Sequence, residues 1–411
     1  MNNRHARNTV RYYILLIVAI AFLFFSSDFG MLDVQKTAII MSVGIDREET
    51  GFIVTSQVAV PQSSKQGKAT EAVQIVSRGK TVADAFEEIN AKTGWYPKLV
   101  FCNLILLGEK TCQQNVFDAL DYFLRDEYLS SGCLVAACDG FAKDVLNATP
   151  LVDPSSGVAI GKVLSRHASR VGTVLTSSLR SFSIGYFGDS KSGYLPLVKT
   201  QPQQEKIDGA NPPQTENQPQ SDGQNQSQSQ GSEQKQGETP TDKPVFSAEE
   251  TALFVNGKRV GTLTAEETFA YSVVKNELRL APYLVKTENS YSTLTVKQNA
   301  PKTSLKVGED GSGLLQIKLT LTAGILDSSK AAPLDNLRDA GDVPPAVFGA
   351  AQQKLAASIK QTFEKTRSLN CDIFGVMDML AKHENKKYPR YQTEILQNTR
   401  AEVSVKFENV R

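Results

Sequence analysis

One apolar run, Tyr12 to Phe25 (YYILLIVAIAFLFF), stands between a basic tail and a chain of otherwise water-soluble composition. Arg4, Arg7 and Arg11 precede it, and no acidic residue appears before Asp28. Positive charge is held on the cytoplasmic side of a membrane, so residues 1–11 read as a cytoplasmic tail and everything from about residue 28 as external. No later segment is long or apolar enough to span again. At about 1.5 Å per helical residue the run covers roughly 21 Å, against about 30 Å of hydrocarbon. Extended from Thr9 to Ser27, with Arg11 snorkelling to the headgroups, it approaches that thickness. A secretory signal has an apolar region of this length too. Phe24 and Phe25 fit badly as the residues before a cut at Ser26 and Ser27, which favours an uncleaved transmembrane anchor over residues 12–27. No cysteine follows the run closely, so lipid attachment there is excluded. The string LSSGC ending at Cys133 resembles a lipidation box, but no apolar leader precedes it.

The balance of charge excludes other partners. Lys+Arg is 45 and Asp+Glu 44, for a net charge of +1, which leaves no electrostatic footprint for nucleic acid or an anionic surface. The 5 cysteines (Cys102, Cys112, Cys133, Cys138, Cys371) are an odd count without a CxxC, neither a disulfide framework nor a zinc site. Cys102 and Cys133 lie in apolar runs and read as small buried residues. One disulfide, using Cys133 or Cys138, stays open as an alternative.

Residues 201–246 are rich in Gln, Pro, Ser and Gly and almost devoid of apolar side chains. Such a stretch cannot bury enough surface to offset its conformational entropy, so it is expected to be a disordered linker, about 35–40 Å across as a flexible coil. It reads as a tolerated insertion rather than a docking tail. It separates a region over residues 28–200, with a further division expected near residue 150, from a second region over residues 247–411.

Before the linker, Thr37–Ile45 and Phe52–Val60 read as a hairpin closed by the polar turn DREETG. Thr81–Lys92 reads as a helix with Thr81 as N-cap and Gly94 as C-cap. The apolar run Leu99–Leu107 suggests a strand covered on both faces. A helix over Val116–Leu124, a strand over Gly132–Cys138 and a short helix from Ala142 follow. Asp153–Arg170 and Thr176–Tyr186 look helical, and Tyr194–Lys199 extended.

After the linker, Asn256-Gly257 supplies the positive φ angles of a type I′ turn inside the hairpin Thr251–Thr262. Thr264 and Glu267 form a capping box opening a helix. Leu315, Ile317, Leu319 and Leu321 alternate with polar residues, as do Ala401, Val403, Val405 and Phe407 in the last strand. Between them a helix from Pro345 to about Arg367 carries Phe348, Ala351, Leu355, Ile359 and Phe363 on one face. One-sided strands facing such a helix imply an antiparallel sheet covered on one side. The fold class is therefore α+β: several domains of mixed and antiparallel sheets packed with helices, after one N-terminal transmembrane helix.

No catalytic constellation emerges. The 3 histidines, His5, His167 and His383, lie in polar surroundings, and no HExxH or GxSxG occurs. The stretch from Gly157 to Gly161-Lys162-Val163 is spaced one residue short of a phosphate loop and has Val163 where a hydroxyl is required. Asp46, Asp118, Asp121, Asp126 and Glu127 read as solvated carboxylates on turns or polar faces. No catalytic residue, cofactor or metal ligand is expected. An external wall hydrolase would need an acidic or histidine cleft that the sequence does not reveal.

Several segments in order resemble the Ger(x)C family, the C subunits of spore germinant receptors. They are Ala38–Asp46 (AIIMSVGID), Phe52–Pro61 (FIVTSQVAVP), Gly79–Val82, Leu99–Gly108 (LVFCNLILLG), Val116–Glu127, Ala252-Leu-Phe254, Val260–Thr268 (VGTLTAEET) and Asn370–Gly375 (NCDIFG). The resemblance covers about residues 33–411. It implies a non-enzymatic subunit on the outer face of the spore inner membrane, working with an A-type and a B-type membrane subunit. It also implies three α+β domains, the middle one combining residues 151–200 with 247–285. The motif positions Gly44, Asp46, Glu267, Asp372, Phe374 and Gly375 are expected to be structural, with Asp372 to Gly375 turning the chain into a helix. One departure stands out: the family's lipid-modified cysteine is missing, with Asp28 in its neighbourhood, and the apolar run takes its place as anchor. A membrane-tethered envelope adaptor or ligand-binding module unrelated to germination is the alternative.

Overall fold

The computed structural model describes residues 12–20, 37–59, 72–150, 153–165, 172–201, 245–288, 290–298, 300–329 and 343–410. Residues 12–20 form helix α1, with exposed side chains. Among the described residues no helix is long and apolar enough to cross a membrane; the rest of the expected span, residues 21–27, lies outside them. The expected linker also lies outside them, except for its ends at Gln201, Val245 and Phe246.

A first sheet of nine strands has the order β3-β2-β1-β5-β6-β7-β8-β9, with the short β4 also paired to β1. Its strands are β1 (Thr37–Glu48), β2 (Gly51–Ala59), β3 (Ala72–Gly79), β4 (Tyr96–Lys98), β5 (Leu104–Leu107), β6 (Leu134–Cys138), β7 (Ser192–Gln201), β8 (Val245–Val255) and β9 (Lys258–Leu263). The centre, β1-β5-β6-β7, is parallel, and antiparallel strands flank it on both sides. Central parallel strands are covered on both faces, which explains the unbroken apolar run Leu104–Leu107, all of it buried. Ile105 and Leu107 face α2 (Val82–Thr93), α4 (Phe117–Arg125) and α7 (Leu179–Phe187). Leu104 and Leu106 face α5 (Ala142–Asn147) and α6 (Ser156–Val163). The very short α3 (Glu109–Cys112) follows β5.

Local chemistry matches the sequence where it is self-contained. Thr81 accepts the Asp84 N–H at the start of α2, and Gly94 ends that helix at φ 70°. Asn256 and Gly257 turn β8 into β9 with φ angles of 51° and 74°. Two expectations are corrected. The strand expected over Leu99–Leu107 begins only at Leu104, because Leu99–Asn103 is a turn that exposes Val100 and Phe101. The helix expected over Asp153–Arg170 is confined, among described residues, to Ser156–Val163.

The second sheet comprises β10 (Ala281–Lys286), β11 (Tyr291–Gln298), β12 (Lys302–Val307), β13 (Gly313–Ser328) and β14 (Thr399–Asn409). β13 is central: β11 and β12 share one of its edges and β14 takes the other. Helix α9 (Pro345–Ser368) covers one face through Ala351, Leu355, Ile359 and Phe363. The sheet is not wholly antiparallel as expected, since β14 runs parallel to β13 over the whole of its length. Alternation fixes which face a side chain takes, not the direction of its neighbour, and a crossover through α9 permits the parallel arrangement. Helices α10 (Val376–His383) and α11 (Tyr388–Tyr391) complete this half.

Helix α8 (Ala265–Lys275) lies between the two sheets. Every residue from Glu267 to Val273 is buried. Phe269, Ala270 and Val273 pack into the second core, while Tyr271 joins Leu253 and Leu263 of the first sheet.

The compositional boundary does not interrupt the first sheet. Gln201 and Val245 are register partners in an antiparallel pair, so residues 202–244 connect adjacent strands. Replacing residues 202–244 with Asn-Gly shortens the loop by more than four doublings and should stabilise the fold by up to about 2.5 kcal/mol. Chemical unfolding of the full chain measures it; a clear loss of stability would show that the segment packs against the body.

Candidate functional site

Two motif carboxylates each hold the first turn of a helix, Asp46 one distant in sequence and Asp372 the one that follows it. Asp46, near the end of β1, accepts the backbone N–H groups of Ala142 (2.7 Å) and Lys143 (2.9 Å) at the head of α5. It is buried, not solvated as the sequence suggested. Asp372 accepts the N–H groups of Val376 and Met377, both at 2.8 Å, at the head of α10. The first N–H groups of a helix have no partner of their own, and a buried acceptor there satisfies two of them. Burial raises the pKa of both carboxyls, opposed in each case by the backbone donors.

The residues around Asp46 make room for it. A Cβ on Gly108 would sit 2.0 Å from the Asp46 Oδ1, and one on Gly44 would meet Leu146 Cδ1 at 2.9 Å. Glycine at both positions lets α5 close onto the sheet. The phosphate-loop-like stretch beside it has a different use. The Gly157 N–H donates to Oε1 of Gln57, which also accepts from Ser42, while the Gln57 amide donates to Ser156 and the Leu146 carbonyl.

Asp372 sits where the halves meet. Its own N–H donates to the Ser192 hydroxyl of β7 at 2.9 Å. The neighbouring Cys371 thiol donates to the Phe254 carbonyl, and burial pushes its pKa up to about 12. The Tyr271 hydroxyl of α8 donates to the Ile373 carbonyl at 2.7 Å. Phe374 lies edge-on to both Tyr271 and Phe363, at 5.2 and 5.3 Å between centroids. Gly375 takes φ 74°, which L side chains rarely adopt, and starts α10. Glu267 completes its capping box with Thr264 and pairs with Lys365 of α9 at 2.6 Å.

A cleft of about 270 Å³ opens at this junction, lined in part by Ser192, Tyr194, Glu277 and Asp372. Burial raises the pKa of Glu277, and the Tyr194 hydroxyl, 3.2 Å away, counteracts it. Both Asp372 oxygens are committed to backbone donors, so that carboxylate holds a helix in place. Among the described residues no group of His, Cys, Asp and Glu is arranged to hold a metal ion.

The other acidic candidates are dispersed. Asp118 pairs with Arg47 at 3.0 Å, Asp121 with Arg125 at 2.7 Å, and Asp126 accepts the N–H groups of Tyr128 and Leu129. Glu127 is exposed, as is His383, while His5 and His167 lie outside the described residues. Asp28 does as well. All five cysteines are buried and free. Their thiols bond to backbone in ways that no spacing announced: Cys102 and Cys133 donate to the Leu104 and Leu134 carbonyls, and Cys112 and Cys138 both donate to the Leu107 carbonyl.

Asp372→Ala and Asp46→Ala should each destabilise the fold by about 2 kcal/mol, because two buried N–H groups lose their acceptor. Gly108→Ala should displace the Asp46 carboxylate, so its cost and that of Asp46→Ala should not add in the double variant. Urea unfolding of the four chains measures both effects; strict additivity would separate Gly108 from the cap.

Comparison with known proteins places this geometry. The model of the "Spore germination protein N-terminal domain" matches residues 31–200, and that of "Spore germination B3/ GerAC like, C-terminal" matches residues 249–411. The chain is 28% identical over 187 residues to Spore germination protein B3 of Bacillus subtilis (strain 168), covering 43% of this chain and 49% of that protein. The alignment thus spans about half the length of that relative. The crystal structure of the GerBC protein matches with a TM-score of 0.49 at 18% identity, over 90% of this chain and 97% of that one. With both family models matched in order on either side of the linker, the chain belongs to the Ger(x)C family of spore germination proteins.

Proposed function

We propose that this chain is the C subunit of a nutrient germinant receptor. It is tethered to the spore inner membrane by the run Tyr12 to Phe25, with its bulk on the extracytoplasmic side. It works in assembly or signalling with A-type and B-type membrane subunits and carries out no chemistry of its own. The observation that carries the reading is the ordered match of both family models over residues 31–200 and 249–411. The basic tail before the apolar run supports the orientation. The buried polar groups support a scaffold, because Asp46, Asp372 and Tyr271 spend their hydrogen bonds on backbone groups. The motif residues Gly44, Asp46, Glu267, Asp372, Phe374 and Gly375 keep the structural role that their positions support.

Affinity purification of the tagged chain from detergent-solubilised spore membranes tests the assignment. It should recover A- and B-type subunits together with an intact N-terminal peptide of the bait. Recovery of the chain alone, or chiefly from vegetative membranes, would move the assignment to an envelope adaptor.

A further inference from the structure

Strands β1, β5 and β6 run parallel, so their N-terminal ends share one end of the first sheet. That end gathers an unusual set of exposed side chains. Thr37, the first residue of β1, is the register partner of Tyr96 in β4. The turn that follows β4 projects Val100 and Phe101, and the turn before β6 projects Tyr128. Their relative exposures are 43% for Tyr96, 48% for Val100, 57% for Phe101 and 60% for Tyr128. The two turns are tied together: Lys98 Nζ lies 4.7 Å from the centre of the Tyr128 ring, and the Leu134 N–H donates to the Asn103 carbonyl. An apolar tip flanked by two tyrosines and a lysine has the composition favoured at the boundary between lipid headgroups and acyl chains, where amphipathic rings and long cations lie with one end dry and the other wet.

The covalent chain says what this end meets. Nine residues, 28–36, separate Ser27, the end of the apolar stretch, from Thr37, and the ten steps fully extended reach at most about 35 Å. However residues 28–36 are arranged, the end of the sheet that carries Tyr96, Val100, Phe101 and Tyr128 is held within that distance of the bilayer. We infer that the Val100-Phe101 turn, with Tyr96, Lys98 and Tyr128, docks into the outer headgroup region of the membrane and fixes the orientation of the first sheet upon it. This rests on the anchor proposed above. Net charge contributes little to such docking: Lys98 and the exposed Glu127 carry opposite charges, Arg125 pairs with Asp121, and Asp126 is engaged by its own turn. The attraction is therefore apolar, and salt should hardly weaken it.

The full chain, reconstituted into vesicles of phosphatidylethanolamine and phosphatidylglycerol, carries the test. Trp95 is the one tryptophan, so Trp95→Phe provides a silent background. In it, Phe101→Trp and Val100→Trp report on the turn, and Leu326→Trp, an exposed position on the second sheet, serves as control. Brominated acyl chains should reduce emission from the two turn reporters at least twofold and leave the control within a tenth of its value. Equal quenching at turn and control, with the chain still in the vesicle fraction, overturns the docking and leaves the anchor standing. A chain that leaves the vesicles on flotation overturns the anchor and the docking with it. A photoreactive phenylalanine at position 101 that cross-links in spore membranes to a protein subunit rather than to lipid also overturns the proposal.

Discussion

A helix with no exposed face has to be made right on every side, and α8 is such a helix. Its buried stretch from Glu267 to Val273 presents Phe269 and Ala270 to one core and Tyr271 to the other. Neither sheet can slide without opening a void against it, since close-packed interiors do not deform continuously. Polar groups fix the register that packing alone would leave loose. Ser272 donates to the Gly172 carbonyl, Tyr271 to the Ile373 carbonyl, and Glu267 reaches Lys365 on α9. The arrangement of the two halves thus depends largely on a helix whose cap, face and hydroxyls all point to different neighbours, with Asp372 and Cys371 adding hydrogen bonds to β7 and β8.

The same economy governs the two aspartates. Asp46 is carried on β1 and spends its charge on the first turn of α5, 96 residues away, while Asp372 caps the helix that follows it and reaches Ser192 of β7 through its own N–H. A carboxylate so placed does the work of an N-cap while also joining layers, which an ordinary serine cap at the helix start does not do. Burial raises its proton affinity, and the donated N–H groups together with the helix dipole restrain that rise.

Much of the fold was legible because its signals are local. The Asn256-Gly257 turn, the Thr264–Glu267 box and the Thr81 cap each rest on residues within a few positions, and the structure contains all three. The alternation in β13 and β14 named the buried faces correctly, but the antiparallel pairing read from it was wrong, since β14 runs parallel to β13. The burial of Asp46 escaped, because its donors lie in a helix that the sequence does not tie to it. Gly108, whose missing Cβ leaves space for the carboxylate, is itself far from Asp46 in the sequence. The run Leu99–Leu107 misled for an instructive reason. Hydrophobic residues that continue past the end of a strand look like more strand, and only the fold shows that Val100 and Phe101 point into solvent.

The parallel placement of β14 has a consequence for biosynthesis. β13 is the central strand of its sheet, and one of its edges is filled only by residues 399–409, which are made after every other strand of that sheet. Until then that edge offers unpaired backbone groups to any passing strand, a known route to misassembly. Synthesis therefore finishes the first sheet early and leaves the second incomplete until β14 emerges, with α9 already made and its apolar face waiting. A chain cut short before Thr399 would have a sound first half and a second half that is a template for aggregation.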